Sequence, residues 1–140
     1  MKKVFVIGGS GFVGTTLINR LNHHEDLDVF CADIKENTNT DNTIIVDVEN
    51  IDSLKQIADA DVIINLAAVH RDDVKPLSKY DDVNVQGAIN VCKTAREFCI
   101  NKIIFTSSVA IYGFAPPNTD ESGEINYFND YGRTKFLAEK

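Results

Sequence analysis

The stretch Lys3–Gly14, with the sequence KVFVIGGSGFVG, decides the fold of this 140-residue chain. Its first part, Lys3–Ile7, is a nearly continuous run of β-branched and aromatic residues, which is typical of a strand buried on both faces. Three glycines at a GxxGxxG spacing follow, and apolar residues then recur at helical spacing over Phe12–Leu21. The order of strand, glycine turn and helix predicts the first unit of an α/β fold.

Each glycine of this turn has a separate physical task. Gly8 permits the tight turn off the strand, Gly11 lets the backbone approach a pyrophosphate, and Gly14 lets the helix pack closely on the sheet. The first helical residues, Phe12 and Val13, follow at the helix N-terminus, which offers free N–H groups and a partial positive charge to the phosphates. Glycines at a turn also occur without a ligand, but the strand before and the helix after them favour a dinucleotide site. The candidate cofactor-binding residues are Gly8, Gly11, Phe12, Val13 and Gly14.

Asp33 supports that interpretation and selects among dinucleotides. It ends a second predicted strand, Asp28–Asp33, and stands nineteen residues after Gly14. A carboxylate there accepts hydrogen bonds from both ribose hydroxyls of an adenosine and repels a 2′-phosphate, so we expect NAD as the cofactor in preference to NADP. Lys35 partly offsets the repulsion, and the alternative for Asp33 is a solvated charge at a strand end.

The rest of the chain continues the alternation of strand and helix. The pattern predicts strands at Thr43–Asp47, Asp61–Leu66 and Lys102–Ser107, and helices at Ile51–Ala58, Ser78–Cys99 and Asn129–Lys140. Apolar strands that alternate with helices imply parallel pairing, with helices on both faces of the sheet. The predicted fold is a doubly wound α/β domain of the Rossmann type over residues 1–140, with three layers. Its one long irregular segment, Pro116–Tyr127, is of a kind that usually lies at the ligand edge.

The composition of the chain excludes some classes of protein and argues against some partners. The chain is 44% hydrophobic and 25% charged, which excludes intrinsic disorder. Its formal net charge of −7 argues against nucleic acid or an anionic membrane as a partner. The longest apolar runs are too short to span a bilayer, and no signal peptide is recognisable. We therefore expect a cytoplasmic protein.

The three cysteines fit that compartment. Cys31, Cys92 and Cys99 cannot all pair with one another, and none lies in a CxxC motif. Cys92 and Cys99 share one face of a predicted helix, and we expect both to be core residues. No metal site is predicted.

A second motif, Tyr131–Lys135 (YGRTK), places a phenol and an ammonium group on one face of a helix, because residues i and i+4 share a face. A phenol in water titrates at about 10, too high for a base at neutral pH. A neighbouring ammonium group and the positive nicotinamide of an oxidised cofactor both favour the phenolate. The spacing is common by chance, but here it follows the strand Lys102–Ser107, near the edge where such folds hold ligands.

With these motifs in place, the sequence resembles the extended short-chain dehydrogenase/reductases, in particular the NAD-dependent epimerase/dehydratase family that acts on nucleotide sugars. The resemblance covers essentially the whole chain. Its landmarks occur in register: GGSGFVG (Gly8–Gly14), Asp33, Asp47-Val48, NLAAVH (Asn65–His70), Asn84-Val85 with Gly87, TSSVAIYG (Thr106–Gly113) and YGRTK (Tyr131–Lys135).

The resemblance implies further cofactor contacts. Asp47 and Val48 are similar to the pair that contacts the adenine. Leu66, Ala67 and Ala68 resemble the turn that passes beneath the ribose and pyrophosphate of the cofactor, although small residues also suit a packed strand end.

The resemblance also implies catalytic roles. Ser108 is similar to the hydroxyl residue that hydrogen-bonds the sugar oxygen, Tyr131 to the acid/base, and Lys135 to the residue that binds the nicotinamide ribose. In this mechanism a sugar carbon gives up hydride as Tyr131 removes the hydroxyl proton, which leaves a transient keto sugar. Asn84 resembles a helix residue that maintains the cofactor-side geometry; its alternative is a helix amide satisfied locally.

The two residues after Ser108 bear on the reaction class. Sugar-nucleotide 4,6-dehydratases generally carry an acid there, whereas this sequence has Val109 and Ala110. The resemblance therefore implies epimerisation, typically at C4 of a UDP-sugar. A reductase, decarboxylase or dehydratase of nucleotide sugars and a non-enzymatic NAD-binding module remain alternatives.

His70 and Arg71 depart from the plainer family pattern and are candidates for substrate binding, since Arg71 could pair with a phosphate through its planar guanidinium. The alternative is that Arg71 pairs with Asp72 or Asp73 and that His70 only lines the pocket wall. Family members are longer and carry a smaller C-terminal domain that binds the nucleotide sugar. We thus expect an N-terminal portion of a larger enzyme, a homodimer when complete, whose 140 residues alone bind NAD weakly and catalyse poorly.

Overall fold

The computed structural model describes residues 1–37, 40 and 42–140. Its strands are β1 (Lys2–Ile7), β2 (Leu27–Asp33), β3 (Thr43–Ile45), β4 (Val62–Asn65) and β5 (Ile103–Phe105). Its α-helices are α1 (Phe12–Leu21), α2 (Ile51–Leu54), α3 (Ser78–Tyr80), α4 (Gly87–Glu97) and α5 (Asp130–Glu139). Two 3₁₀ turns, Lys55–Ile57 and Val109–Tyr112, and a π-helical segment, Asp81–Gln86, complete the regular structure of the described residues.

The strands form one parallel sheet in the order β3-β2-β1-β4-β5. The chain first builds outward from β1 to β3 and then returns to place β4 on the other side of β1. Ile7, at the end of β1, therefore lies between Ala32 on one neighbour and Asn65 on the other. The strand order reverses between β1 and β4, and ligands of open α/β sheets bind at the carboxyl end of such a reversal.

The side chains of β1 alternate between the two faces of the sheet. Phe5 and Ile7 pack in a core that includes Val91 of α4, whereas Val4 and Val6 pack in a second core that includes Ile18 of α1. Helices thus cover both faces, and the predicted three-layer, doubly wound fold is confirmed. No helix of the described residues is both long and apolar enough to cross a membrane.

The glycine turn brings α1 unusually close to the end of β1. Gly8 has a positive φ of 78°, and its N–H donates to the Ala32 carbonyl at 2.8 Å. A Cβ at position 14 would lie 2.5 Å from the Gly8 carbonyl oxygen and 2.6 Å from the Gly9 Cα. No side chain larger than hydrogen fits there unless the helix moves.

The predicted long helix Ser78–Cys99 is confirmed as one unbroken run of helical residues, with two differences. It is divided among α3, the π-helical segment and α4, and it ends before Cys99, which has a positive φ of 56°. Cys92 and Cys99 are both exposed, so their assignment to the core is wrong. The buried face of α4 runs through Val91 and Ala95, and Cys92 lies about 100° around the helix from Val91.

The far edge of the sheet carries an apolar strand. β5 pairs only with β4 among the described strands, and Ile103 and Ile104 are 36% and 45% exposed. The strand predicted at Lys102–Ser107 therefore lies at an edge of the sheet. The predicted irregular segment Pro116–Tyr127 is confirmed, since no helix or strand lies between Tyr112 and Asp130.

The turn allows a matched test of stability. Gly14→Ala is expected to lower the free energy of unfolding by about 1–3 kcal/mol, since the new methyl group meets backbone. Gly11→Ala is the control, because its Cβ would meet only the Gly8 oxygen, at 3.3 Å, and its φ is an ordinary −73°. Urea denaturation measures both changes; equal losses would contradict this account of the packing.

Candidate active site

A cavity of about 660 Å³ opens at the carboxyl edge of the sheet, at the reversal between β1 and β4. Most of the residues singled out in the sequence line it. They are Gly8, Gly11, Phe12, Val13, Gly14, Asp33, Asp47, Val48, Leu66, Ala67, Ala68, His70, Tyr131 and Lys135. The fold therefore brings together motifs that are up to about 120 residues apart in the sequence.

The N-terminus of α1 forms one end of this cavity. Gly11 precedes the helix with extended backbone, and within the part of the chain that the structure describes no side chain bonds to the first-turn N–H groups. That turn contains no acidic residue. These groups and the helix dipole are suited to an anion. The Gly8 turn also has no room for a side chain, because a Cβ there would lie 2.9 Å from the Ala67 nitrogen. These features fit the pyrophosphate of a dinucleotide.

Asp33 stands across the turn from that helix end. Its Oδ2 accepts a hydrogen bond from the Ser10 N–H at 3.0 Å, and its Oδ1 accepts one from the Lys35 N–H at 3.2 Å. The Ser10 hydroxyl donates to the Lys35 carbonyl at 3.0 Å. Two backbone donors thus fix the carboxylate at the cavity wall, where its remaining lone pairs can accept hydrogen bonds.

Asp47 and Val48 line another part of the wall. The Asp47 carboxylate accepts the Glu49 N–H at 2.9 Å, and Lys79 pairs with the Glu49 carboxylate at 2.8 Å. The carbonyl of Val48 accepts the Asn90 side-chain amide at 2.8 Å. The loop after β3 is therefore held by α4 and α3.

Asn84 does not line the cavity, but it holds the loop that does. Its Oδ1 accepts the Val69 N–H at 2.7 Å, and its Nδ2 donates to the Val69 carbonyl at 2.9 Å. Nδ2 also donates to the Thr134 hydroxyl at 2.9 Å. The amide is thus satisfied by long-range partners and not within its own helix.

Tyr131 and Lys135 are presented by α5. Asn129 caps this helix, since its Oδ1 accepts the Gly132 N–H at 2.8 Å. Both side chains line the cavity, one helical turn apart. Lys135 is only 3% exposed, and its ammonium group lies 4.1 Å from the centre of the Phe105 ring. Burial lowers the pKa of Lys135 from 10.5 to about 8, opposed by the nearby carboxylate of Glu139.

The residues after β5 differ in whether they line the cavity. Thr106 and Ser107 line the cavity, and the Ser107 hydroxyl bonds to Glu139. Ser108 lies outside the lining; its hydroxyl accepts the Ala110 N–H at 3.1 Å and caps the 3₁₀ turn Val109–Tyr112. Sequence reasoning named Ser108 and missed its neighbours, because a single strand end does not reveal which residue faces inward.

Arg71 also lies outside the lining. Its guanidinium pairs with Asp73 through two hydrogen bonds of 3.1 and 2.9 Å, which is the alternative considered from the sequence. Its backbone carbonyl accepts the Tyr80 hydroxyl. His70 lines the cavity wall beside Val69. Ser10, Glu49 and Val69 also line it and were missed. Ser10 and Val69 lie within recognised motifs and Glu49 follows one, but none carries a signal of its own.

A model of the NAD dependent epimerase/dehydratase family matches residues 4–140. The chain belongs to this family. A relative from Escherichia coli O157:H7 is 42% identical over 98% of the chain and is named N-acetyl-alpha-D-glucosaminyl-diphospho-ditrans,octacis-undecaprenol 4-epimerase. A putative UDP-glucose 4-epimerase of Methanocaldococcus jannaschii is 33% identical over 98% of the chain.

Solved structures of the epimerase/dehydratase family carry the same architecture. UDP-glucose 4-epimerase from Brucella ovis, solved in complex with NAD, is 25% identical and superposes with a TM-score of 0.87 over 99% of this chain. The chain covers 46% of that structure, and it covers 41% and 48% of the two curated relatives. It therefore spans less than half the length of each of these proteins.

The burial of Lys135 predicts a pH dependence of stability. Between pH 8 and 10.5 the unfolded chain binds more protons at Lys135 than the folded chain, so the free energy of unfolding rises with pH in that window. Relative to Lys135→Met, the wild-type chain is expected to gain about 1–3 kcal/mol across it.

Urea denaturation at several pH values measures this difference. The control is Lys102→Met, which removes an exposed lysine. Parallel pH profiles for the wild-type chain and Lys135→Met would contradict the prediction.

Proposed function

We propose that the full-length protein carrying this chain is an NAD-dependent nucleotide-sugar epimerase that acts at C4 through a transient keto sugar. The observation that carries the proposal is that Tyr131 and Lys135 face the same cavity as the uncapped N-terminus of α1. The relatives named above support it, since both are named as 4-epimerases.

The proposed cofactor site follows the cavity wall. Gly8, Gly11, Phe12, Val13 and Gly14 would receive the pyrophosphate and Asp33 the adenosine ribose. The adenine would lie against Asp47 and Val48, and the turn Leu66–Ala68 would pass beneath the ribose and pyrophosphate. Bound at these residues, NAD would supply the hydride acceptor for oxidation of the sugar carbon and the hydride donor for its reduction.

At the other end of the cavity, residues of α5 and of the segment after β5 carry out the proposed chemistry. Tyr131 removes the proton of the sugar hydroxyl and later gives it back. Lys135 binds the nicotinamide ribose, and its positive charge favours the phenolate of Tyr131. Ser108 binds the sugar oxygen; its hydroxyl oxygen accepts the Ala110 N–H, and its own O–H can donate to the sugar without loss of that bond. Asn84 keeps the loop at Val69 in place.

The surroundings of Ser108 favour epimerisation. Val109 and Ala110 carry no acid that could assist the loss of water, so dehydration is disfavoured. Return of hydride to the other face of the keto sugar then completes the reaction. Tyr131 supplies both proton transfers of this reaction, the removal of the hydroxyl proton and its return.

Two substrate classes remain as candidates. The first is a UDP-sugar, as in the names of several relatives. The second is an N-acetylhexosamine joined through diphosphate to a polyprenol, which the name of the relative at 42% identity favours. Both present a sugar on a diphosphate. His70 at the cavity wall and Arg71 beside it are proposed to bind the substrate.

A substrate panel tests the proposed reaction. The full-length protein is incubated with UDP-, GDP- and dTDP-sugars and with a polyprenyl diphosphate-linked N-acetylhexosamine, and the products are separated by chromatography. The expected product is the C4 epimer without net release of NADH. Stoichiometric release of NADH would instead indicate an oxidative decarboxylase, and stoichiometric consumption of added NADH would indicate a reductase. Binding of NAD without turnover of any sugar would indicate a non-enzymatic module.

Tyr131→Phe tests the acid/base assignment. Removal of the hydroxyl is expected to lower kcat by about 10²–10⁴, because general acid–base catalysis contributes that much. The affinity for NAD, measured by calorimetry, should change little. Tyr127→Phe is the control, since Tyr127 lies outside the cavity and packs near Phe136. Retained turnover in Tyr131→Phe would overturn the assignment.

Asp33→Asn tests the choice of cofactor. The wild-type protein is expected to bind NAD more tightly than NADP, and the variant should lose affinity for NAD by roughly ten- to a hundredfold, because a hydrogen bond to a charged group contributes about 1.5–3 kcal/mol. Asp28→Asn, near the opposite end of β2, is the control. Equal affinity of the wild-type protein for NADP would contradict the role of Asp33.

We further propose that the full-length protein is a cytoplasmic homodimer and that residues 1–140 alone bind NAD weakly and catalyse poorly. All three cysteines are free, which supports a reducing compartment. Light scattering, cell fractionation and turnover by the isolated chain measure these properties. A rate for the isolated chain near that of the full-length protein would refute the last of them.

A further inference from the structure

We propose that Thr134 is a positioning residue, which holds the helix that carries Tyr131 and Lys135 at a set distance from the cavity wall by accepting a hydrogen bond from Asn84. The inference rests on the proposed function, because it concerns the placement of the two groups that this function assigns to proton transfer and cofactor binding.

Thr134 is fully buried, and its hydroxyl both donates and accepts hydrogen bonds. Oγ1 donates toward the carbonyls of Asp130, at 2.7 Å, and Tyr131, at 3.2 Å. The same oxygen accepts the Asn84 Nδ2–H at 2.9 Å. A single side chain, next to Lys135 and within one turn of Tyr131, thereby connects α5 to a different helix.

Asn84 extends this connection to the cavity. Its amide bonds to both the N–H and the carbonyl of Val69, and Val69 lines the cavity. Asn84 has two N–H donors, and one of them serves Val69 and the other Thr134. A continuous path of three hydrogen-bonded residues therefore joins the cavity wall to the backbone of α5.

The π-helical segment provides the residues that contact α5. It runs from Asp81 to Gln86 and presents two residues to α5: Asp81, which pairs with Arg133 at 2.9 and 2.6 Å, and Asn84. π-helical turns occur frequently at functional sites. The Arg133 pair is partly exposed to solvent, whereas Thr134 and Asn84 are 0% and 3% exposed. The buried contact is less screened and is the stronger constraint on position.

The opposite side of α5 is equally confined. A Cβ at Gly132 would lie 2.5 Å from the Ala110 carbonyl and 2.9 Å from the Tyr127 Cβ. The helix is therefore closely packed against the 3₁₀ turn on one side and tied to Asn84 on the other. Without the tie, α5 is held to the π-helical segment only by the partly exposed Arg133–Asp81 pair, and a misplacement of about 1 Å costs on the order of a hundredfold in rate.

Thr134→Val in the full-length protein tests the proposal, because it keeps the shape of the side chain and removes only the hydroxyl. We expect kcat to fall by about ten- to a hundredfold, while KM for the sugar and the affinity for NAD change by less than about threefold. Thr134→Ser restores the hydroxyl and is expected to recover kcat to within about twofold of wild type.

Thr94→Val is the matched control, since Thr94 is a buried threonine of α4 that does not line the cavity. It is expected to leave kcat unchanged when assayed well below its melting temperature. A Thr134→Val enzyme with wild-type kcat under the same conditions would overturn the proposal, as would a loss that Thr134→Ser fails to repair.

A measurement without substrate separates this proposal from the proposed function. The rate at which trinitrobenzenesulfonate labels Lys135, followed by mass spectrometry, is expected to titrate near pH 8 in the wild-type protein and closer to 10.5 in Thr134→Val, as the amine becomes solvated. Identical profiles would overturn the positioning role. If the wild-type protein turned over no sugar, the proposed function would fail, and the labelling profile alone would then decide for or against Thr134.

Discussion

The close packing of α1 on the end of β1 is the constraint on which the rest of the site depends. At Gly14 a Cβ would meet backbone atoms of Gly8 and Gly9, so the helix approaches the turn as far as its backbone allows. This approach places the uncapped N-terminus of α1 where the strand order reverses, between β1 and β4. A partial positive charge thereby lies at one end of the cavity, and the carboxylate of Asp33 lies across the turn from it.

The two ends of the cavity are built by different kinds of contact. The end at the N-terminus of α1 is formed by backbone groups of one continuous segment, in which Gly8 and Gly14 leave no room for a side chain. The end that carries Tyr131 and Lys135 depends on side chains from distant elements, because Asn84 and Arg133 join α5 to the π-helical segment. A buried ammonium group such as Lys135 is costly to hold, and the surrounding packing has to keep it in place.

Local periodicity predicted the order of strands and helices well and the faces of the helices less well. The strands were recognisable because each is a short apolar run next to a turn signal. Cys92 and Cys99 were placed in the core because they share a face of the predicted helix, whereas the buried face of α4 runs through Val91 and Ala95. The hydrophobic pattern also did not distinguish the π-helical segment from the α-helices on either side of it.

The sequence by itself determined the glycine turn, the acidic end of β2 and the pairing of Tyr131 with Lys135 on one helical face, since each follows from residues within a few positions of one another. Only the tertiary structure decided that Ser107 lines the cavity while Ser108 caps a turn, that Arg71 pairs with Asp73, and that Asn84 joins Val69 to Thr134. These outcomes depend on the packed positions of backbone segments and on competition among nearby hydrogen-bond partners, neither of which hydrophobic periodicity reports.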